Sequence, residues 1–146
     1  MAASDHFSAD DRTVITAAIA EAEQHTSGEI RLYIEDKCGE NVLDRAAFVF
    51  SQLGMQDTKD RNGVLFYLAF DSRQFAIIGD AGIHAKVKDD FWNEIKSVMA
   101  EHFKKGEFVT GLSKGIRMSG DALQKHFPHQ GDDKNELSDE IVFNNN

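Results

Sequence analysis

Val64-Leu65-Phe66-Tyr67-Leu68-Ala69-Phe70, then Asp71-Ser72-Arg73, then Gln74-Phe75-Ala76-Ile77-Ile78: an unbroken apolar run, a short polar break and a second apolar run. A strand sends alternate side chains to opposite faces, so a run with no polar member belongs to a central strand covered on both sides. The break leaves room only for a tight turn, which makes the second run an antiparallel neighbour of the first. Upstream, Ile30, Leu32 and Ile34 alternate with Arg31, Tyr33 and Glu35, the period-two pattern of a strand with one polar face. Between these strands Val42, Leu43, Ala46, Ala47, Phe50 and Leu53 recur at helical spacing. Phe48 and Val49 add apolar bulk elsewhere, which predicts a helix buried on more than one face. A helix joining two strands of one sheet makes them parallel, through a right-handed crossover.

The flanks add helices. Ser8 followed by Asp11 marks a helix start, and Val14, Ile15, Ala18, Ile19 and Ala22 continue it until Gly28. Beyond Gly82, the stripe Phe91, Trp92, Ile95, Val98, Met99, His102 and Phe103 runs to Gly106. Phe108, Leu112, Ile116 and Leu123 mark a last helix, in which Gly111, Gly115 and Gly120 allow close backbone approach. Pro128, the only proline, ends it. Ile141-Val142-Phe143 is expected to add a short edge strand or to anchor the tail. The pattern predicts an α/β fold: a three-layer α/β/α sandwich whose small mixed sheet combines a parallel crossover with an antiparallel hairpin. Residues 1–7 read as a lead, 8–128 as the domain and 129–146 as an acidic, partly docked tail.

A chain of 146 residues with 41% hydrophobic content and 11 Phe suffices for one domain with a core of its own. The net charge of −9 argues against a nucleic-acid groove or an anionic membrane surface, each of which wants a basic patch. Asp132, Asp133, Glu136, Asp139 and Glu140 concentrate part of that charge in the tail, against Lys134 alone. The single cysteine, Cys38, forms no internal disulfide and fits a reducing compartment. The first residues have neither a basic nor an apolar leader region, and no run approaches the ~20 apolar residues of a membrane helix. The expected location is the cytoplasm.

Topology also gathers acids. Glu29 opens the first strand and Asp60 immediately precedes the second; both N-terminal ends share one edge of the sheet. The hairpin returns the third strand to that edge, carrying Asp80. Asp36 and Asp71 go to the opposite rim. Neighbouring carboxylates repel unless a cation or protons intervene. Oxygen-only ligands without His or Cys suit Ca²⁺ or Mg²⁺ rather than zinc or copper. Asn62 and loop carbonyls near Gly28 and Gly82 are expected to add neutral oxygens, and the helix after Gly82 to offer N–H groups to a phosphate. The competing reading is that these acids cap turns or bond backbone amides, which is the better role for Asp71. His126 and His129 read as a helix end rather than a zinc site, His84 as a solvated first-turn residue, Trp92 as core and Cys38 as a small, partly buried side chain. No P-loop, dinucleotide fingerprint, serine-hydrolase elbow or EF-hand loop occurs.

On these residues the chain resembles the TPM domain family. The resemblance runs through Thr26-Ser27-Gly28-Glu29-Ile30, Arg61-Asn62-Gly63-Val64-Leu65, Ile78-Gly79-Asp80-Ala81-Gly82-Ile83 and Phe103-Lys104-Lys105-Gly106-Glu107 with Gly111-Leu112. The ending Asn135 to Ile141 resembles a stand-alone bacterial branch. It implies an α/β/α sandwich and an acidic loop site for divalent cations, Ca²⁺ in particular; an acid phosphatase activity is attributed to some members. Glu29 and Asp80 fall within matching motifs, and Asp60 just outside one. Many relatives carry a signal peptide and a membrane anchor or Gly-rich tail, neither of which is seen between Met1 and Asn146. The expectation is a soluble module that binds calcium, or else magnesium, through Glu29, Asp60 and Asp80, and that serves a protein partner or the upkeep of a complex. The alternative is a metal-assisted phosphatase acting on phosphomonoesters. No general base or nucleophile motif supports turnover, so binding ranks first.

Overall fold

The computed structural model describes residues 2–128 and 140–145. His129, the tail acids at 132–139 and the hydrophobic Leu137 lie outside the described residues. The chain runs through a 3-10 turn (Ala3–His6), α1 (Ala9–Glu23), β1 (Glu29–Glu35), α2 (Val42–Gln52), β2 (Gly63–Ala69), β3 (Gln74–Gly79), α3 (Ala81–Lys104), α4 (Phe108–His126) and β4 (Val142–Asn144). The sheet order is β3-β2-β1-β4. β1 and β2 are parallel, with Glu29 opposite Gly63, and β3 returns antiparallel, with Gly79 opposite Val64. β4 adds a parallel edge, with Tyr33 opposite Val142.

Two cores sandwich this sheet. Ile30, Leu32, Ile34, Val64, Phe66 and Leu68 face α1, α3 and α4, while Tyr33, Leu65, Tyr67 and Ala69 face α2. Three layers result, as the unbroken apolar run of β2 requires. Each buried Ile, Leu, Val or Phe among them contributes about 1.5–3 kcal/mol by leaving water. Alone on its side of the sheet, α2 buries one face only: Ala46, Val49 and Phe50 are inside, whereas Leu43 and Phe48 are 49% and 53% exposed. This corrects the expectation of a helix buried on several faces, since among the described residues nothing packs above α2. The polar face of β1 is mostly covered as well: Arg31 is half-buried and Tyr33 is buried. Glu35 is fully buried, enclosed by Arg45 from α2, Tyr67 from β2 and Asn144 from β4.

Ser8 caps α1 by accepting the Asp11 N–H at 3.0 Å, and Asp11 returns the bond to the Ser8 N–H at 3.0 Å. α4 lies so close to α1 that a Cβ on Gly120 would stand 2.6 Å from the Cβ of Ala22 and 2.9 Å from its Cα. α3 is two helical segments broken at Lys88, whose φ of 64° is left-handed. Such a conformation costs a non-glycine residue about 1 kcal/mol or more, and neither Gly nor Pro announces the break in the sequence. Beyond it Trp92 packs onto Gly79, where a Cβ would meet the indole at 2.3 Å, and donates its Nε1–H to His84 Nδ1 at 3.0 Å. Among the described residues no helix is long and apolar enough to cross a membrane.

Candidate functional site: the rim of Glu29, Asp60 and Asp80

Strand pairing puts the three acids on one edge. Glu29 is the first residue of β1, and its N–H donates to the Asn62 carbonyl at 3.4 Å. Thr26 anchors the approach: its hydroxyl donates to the Leu123 carbonyl at 3.0 Å and accepts the Gly28 N–H at 3.0 Å. Asp80 extends β3 by donating its N–H to the Gly63 carbonyl at 2.9 Å, then caps α3. Glu29 and Asp80 are buried, 1% and 6% exposed, whereas Asp60 faces solvent.

The three are not drawn into one cage. Among the described residues no group of three or more His, Cys, Asp or Glu side chains is gathered closely enough to hold a metal ion. Asp80 has a partner of its own. Arg61 Nε donates to Oδ2 at 2.6 Å and Nη2 to Oδ1 at 2.8 Å, while the Ala81 N–H donates to Oδ1 at 2.8 Å. Those hydrogen bonds, with the Asp80 charge, hold the Arg61 guanidinium more firmly protonated than usual; Asp57 adds a smaller attraction.

The phosphate cradle expected at the start of α3 is absent, because its first N–H groups are already bonded. Ala81 donates to Asp80 Oδ1, Gly82 and Ile83 to the Arg61 carbonyl at 2.8 and 3.3 Å, and His84 to the Asp80 carbonyl at 2.9 Å. A helix start whose orphan donors are all satisfied, with a carboxylate as its cap, has nothing left to offer an anion. Gly82 makes this fit possible. A Cβ there would lie 2.1 Å from the Asp60 carbonyl oxygen and 2.6 Å from that of Arg61.

The loop before β2 supplies what carboxylate counting misses. Asn62 is 1% exposed; its Nδ2 donates to Ser27 Oγ at 3.2 Å, yet Oδ1 finds no donor among the described residues. Thr58 Oγ1, on a residue 5% exposed, is likewise without a partner. A buried acceptor left unsatisfied costs about 1–3 kcal/mol. Neutral oxygens beside carboxylates, with no nitrogen or sulfur ligand, match the preference of a hard cation. In kind these oxygens suit a hard cation, but the described residues do not gather the three carboxylates into a site, and both oxygens of Asp80 are taken by Arg61.

The opposite rim holds a group that the sequence did not single out. Glu35 accepts from Arg45 Nε and Nη2, both at 2.9 Å, from Asn144 Nδ2 at 3.1 Å and from the Tyr67 hydroxyl. Burial alone would raise the Glu35 carboxyl, but donors from Arg45, Tyr67 and Asn144 outweigh it and hold it below the ordinary value. Burial and the neighbouring Glu35 push the Tyr67 hydroxyl up, so it stays a donor. Asp71 lies at this rim, as expected, with its N–H on the Asp36 carbonyl at 2.8 Å. The signal was faint because Glu35 and Arg45 belong to different elements and meet only once α2 lies on the sheet. Near the β2–β3 turn, a cavity of about 240 Å³ is walled by Leu68, Phe75, Phe103 and Phe108, with Arg73 and Lys104. It contains no acid or imidazole.

The family model described as the TPM domain matches residues 2–122. The NMR structure of the BA42 protein from the psychrophilic bacterium Bizionia argentinensis is 43% identical, with a TM-score of 0.89 over 94% of this chain and 95% of that one. The N-terminal domain of a P. gingivalis protein is 21% identical, with a TM-score of 0.68 over 85% and 82%. That of the cg2496 protein from Corynebacterium glutamicum is 16% identical, with a TM-score of 0.64 over 80% and 74%. These last two share the fold. No curated protein sequence matches.

Proposed function

The chain belongs to the TPM domain family, and from that membership we propose that its acidic rim binds a divalent cation, calcium in preference to magnesium, in the service of a protein partner or of the upkeep of a complex. The observation that carries this reading is Asn62 Oδ1, a buried acceptor without a donor among the described residues, on the rim that also holds Glu29 and Asp80. A bound ion would give Asn62 Oδ1 the electropositive partner it lacks among the described residues. Glu29, Asp60 and Asp80 would give it carboxylate oxygens, and Asn62 a neutral one. Calcium accepts six to eight oxygens in flexible geometry, whereas magnesium demands a near-ideal octahedron at shorter range. Ligands drawn from two strand ends and a loop suit the more tolerant ion. Hydrolysis of phosphomonoesters would need a place for the phosphate, and the N–H groups of α3 are spent on Asp80 and on the Arg61 carbonyl.

Titration of ¹⁵N-labelled protein with Ca²⁺ tests the proposal. Saturable amide shifts are expected at residues 28–30, 60–63 and 79–84, with weaker binding of Mg²⁺. Glu29→Gln should weaken calcium about tenfold or more, roughly 1.4 kcal/mol. Shifts confined to the acidic residues after 128 would overturn the assignment.

A further inference from the structure

We propose that Arg61 is the resident counter-cation of this rim, and that a divalent ion binds by displacing its guanidinium from Asp80. The inference rests on the cation reading above and assigns the residue that sets the affinity of the site.

The two partners of the pair are unequal. The Asp80 side chain is 5% exposed and that of Arg61 is 51% exposed. A buried carboxylate needs a counter-charge, and both of its oxygens receive one from Arg61 at 2.6 and 2.8 Å. A half-exposed guanidinium, by contrast, can turn into water without leaving a buried charge behind. What it leaves must then be neutralised, which is the work an ion can do.

The loop does not depend on that side chain for its position. The Arg61 backbone is left-handed, with φ 51°, and its carbonyl accepts from both Gly82 and Ile83. Because Gly82 lacks a Cβ, the carbonyls of Asp60 and Arg61 sit in space that a side chain would fill. The main chain is thus pinned to the start of α3 by contacts that do not involve the Arg61 side chain.

A second observation points to a ligand other than arginine. The guanidinium carries only donors, yet the adjoining Asn62 Oδ1 is buried and lacks one among the described residues. Asn62 itself is fixed between the other parts of the rim, with Nδ2 on Ser27 and its carbonyl accepting from Glu29. Arg61 therefore neutralises Asp80 without completing the oxygen set. A divalent ion would serve the carboxylate and the amide oxygen together. Asp57, which also attracts Arg61, and the exposed Asp60 favour its arrival.

Calcium titrations of the wild type, Arg61→Gln and Arg61→Lys, followed by calorimetry and amide NMR, test the proposal. Removing the internal competitor and its charge should tighten calcium binding by about tenfold or more in Arg61→Gln. Arg61→Lys, which keeps the charge without the two-pronged contact, should fall between. In the wild type the Arg61 Nε–H resonance should move as the site saturates. A wild type that is silent while Arg61→Gln binds at the rim also supports the proposal. If the wild type binds at the rim and a folded Arg61→Gln binds no tighter, Arg61 is only a staple and this inference falls while the cation site stands. If neither binds, both fall. Should Arg61→Gln not fold, an Arg61 Nε–H resonance unmoved at calcium saturation would overturn the inference by itself.

Discussion

Glu35 and Asp80 are both buried carboxylates answered by an arginine, and their surroundings give the pairs different work. Arg45 is itself mostly covered, 20% exposed, and shares Glu35 with Tyr67 and Asn144. Arg45→Met should therefore leave an uncompensated charge and cost about 3 kcal/mol, read from urea unfolding. Because the folded Glu35 carboxyl lies below its ordinary 4.5, its contribution is complete above that pH and is lost as pH falls through the lowered value. Glu35→Gln should flatten that stretch of the stability curve; an unchanged slope between pH 5 and the acid limit would count against the assignment. The place of Asp80 on the rim was legible in the sequence because the hairpin returns β3 to the edge where β1 and β2 begin. Its arginine was not, since the pairing depends on how the 57–62 loop meets Gly82. Glu35 lay hidden for a related reason: strand alternation gives a face, and only the placing of α2 decides whether that face is wet.

At the scale of elements, periodicity carried most of the fold. The helices and the hairpin follow from spacing, and the glycines of α4 lie at close approaches, as expected. Gly120→Ala would drive a methyl group into the backbone of Ala22 and should cost about 1–3 kcal/mol, seen as a lower thermal midpoint. No change in midpoint would mean that α1 can give way. Lys88 could not be foreseen, because a left-handed lysine inside a helical pattern carries no composition signal. β4 was legible as a short apolar run, although its partner was not. It pairs with β1, and the Asn144 carbonyl accepts the Asp36 N–H at 3.3 Å. Deleting residues 140–146 should remove hydrogen-exchange protection at Asp36 while leaving β2 protected. Protection retained at Asp36 would contradict that pairing.

Across the whole molecule, one parallel crossover and one hairpin sort the acids. Glu29, Asp60 and Asp80 share one rim, with Asp36 and Asp71 on the other. That sorting was available from strand order alone. What strand order could not give is the state of the rim: a buried, arginine-held Asp80, an exposed Asp60 and an amide oxygen with no donor among the described residues. The most direct test uses the only tryptophan, Trp92, which packs on Gly79 beside Asp80. Terbium(III), a hard ion that takes calcium-type oxygen sites, emits when an excited indole lies close to it. Titrated into the protein with excitation of Trp92, it should give saturable emission that Ca²⁺ competes away and that Asp80→Asn largely abolishes. Absence of sensitised emission from both the wild type and Arg61→Gln, or emission undiminished in Asp80→Asn, would contradict a cation site on this rim.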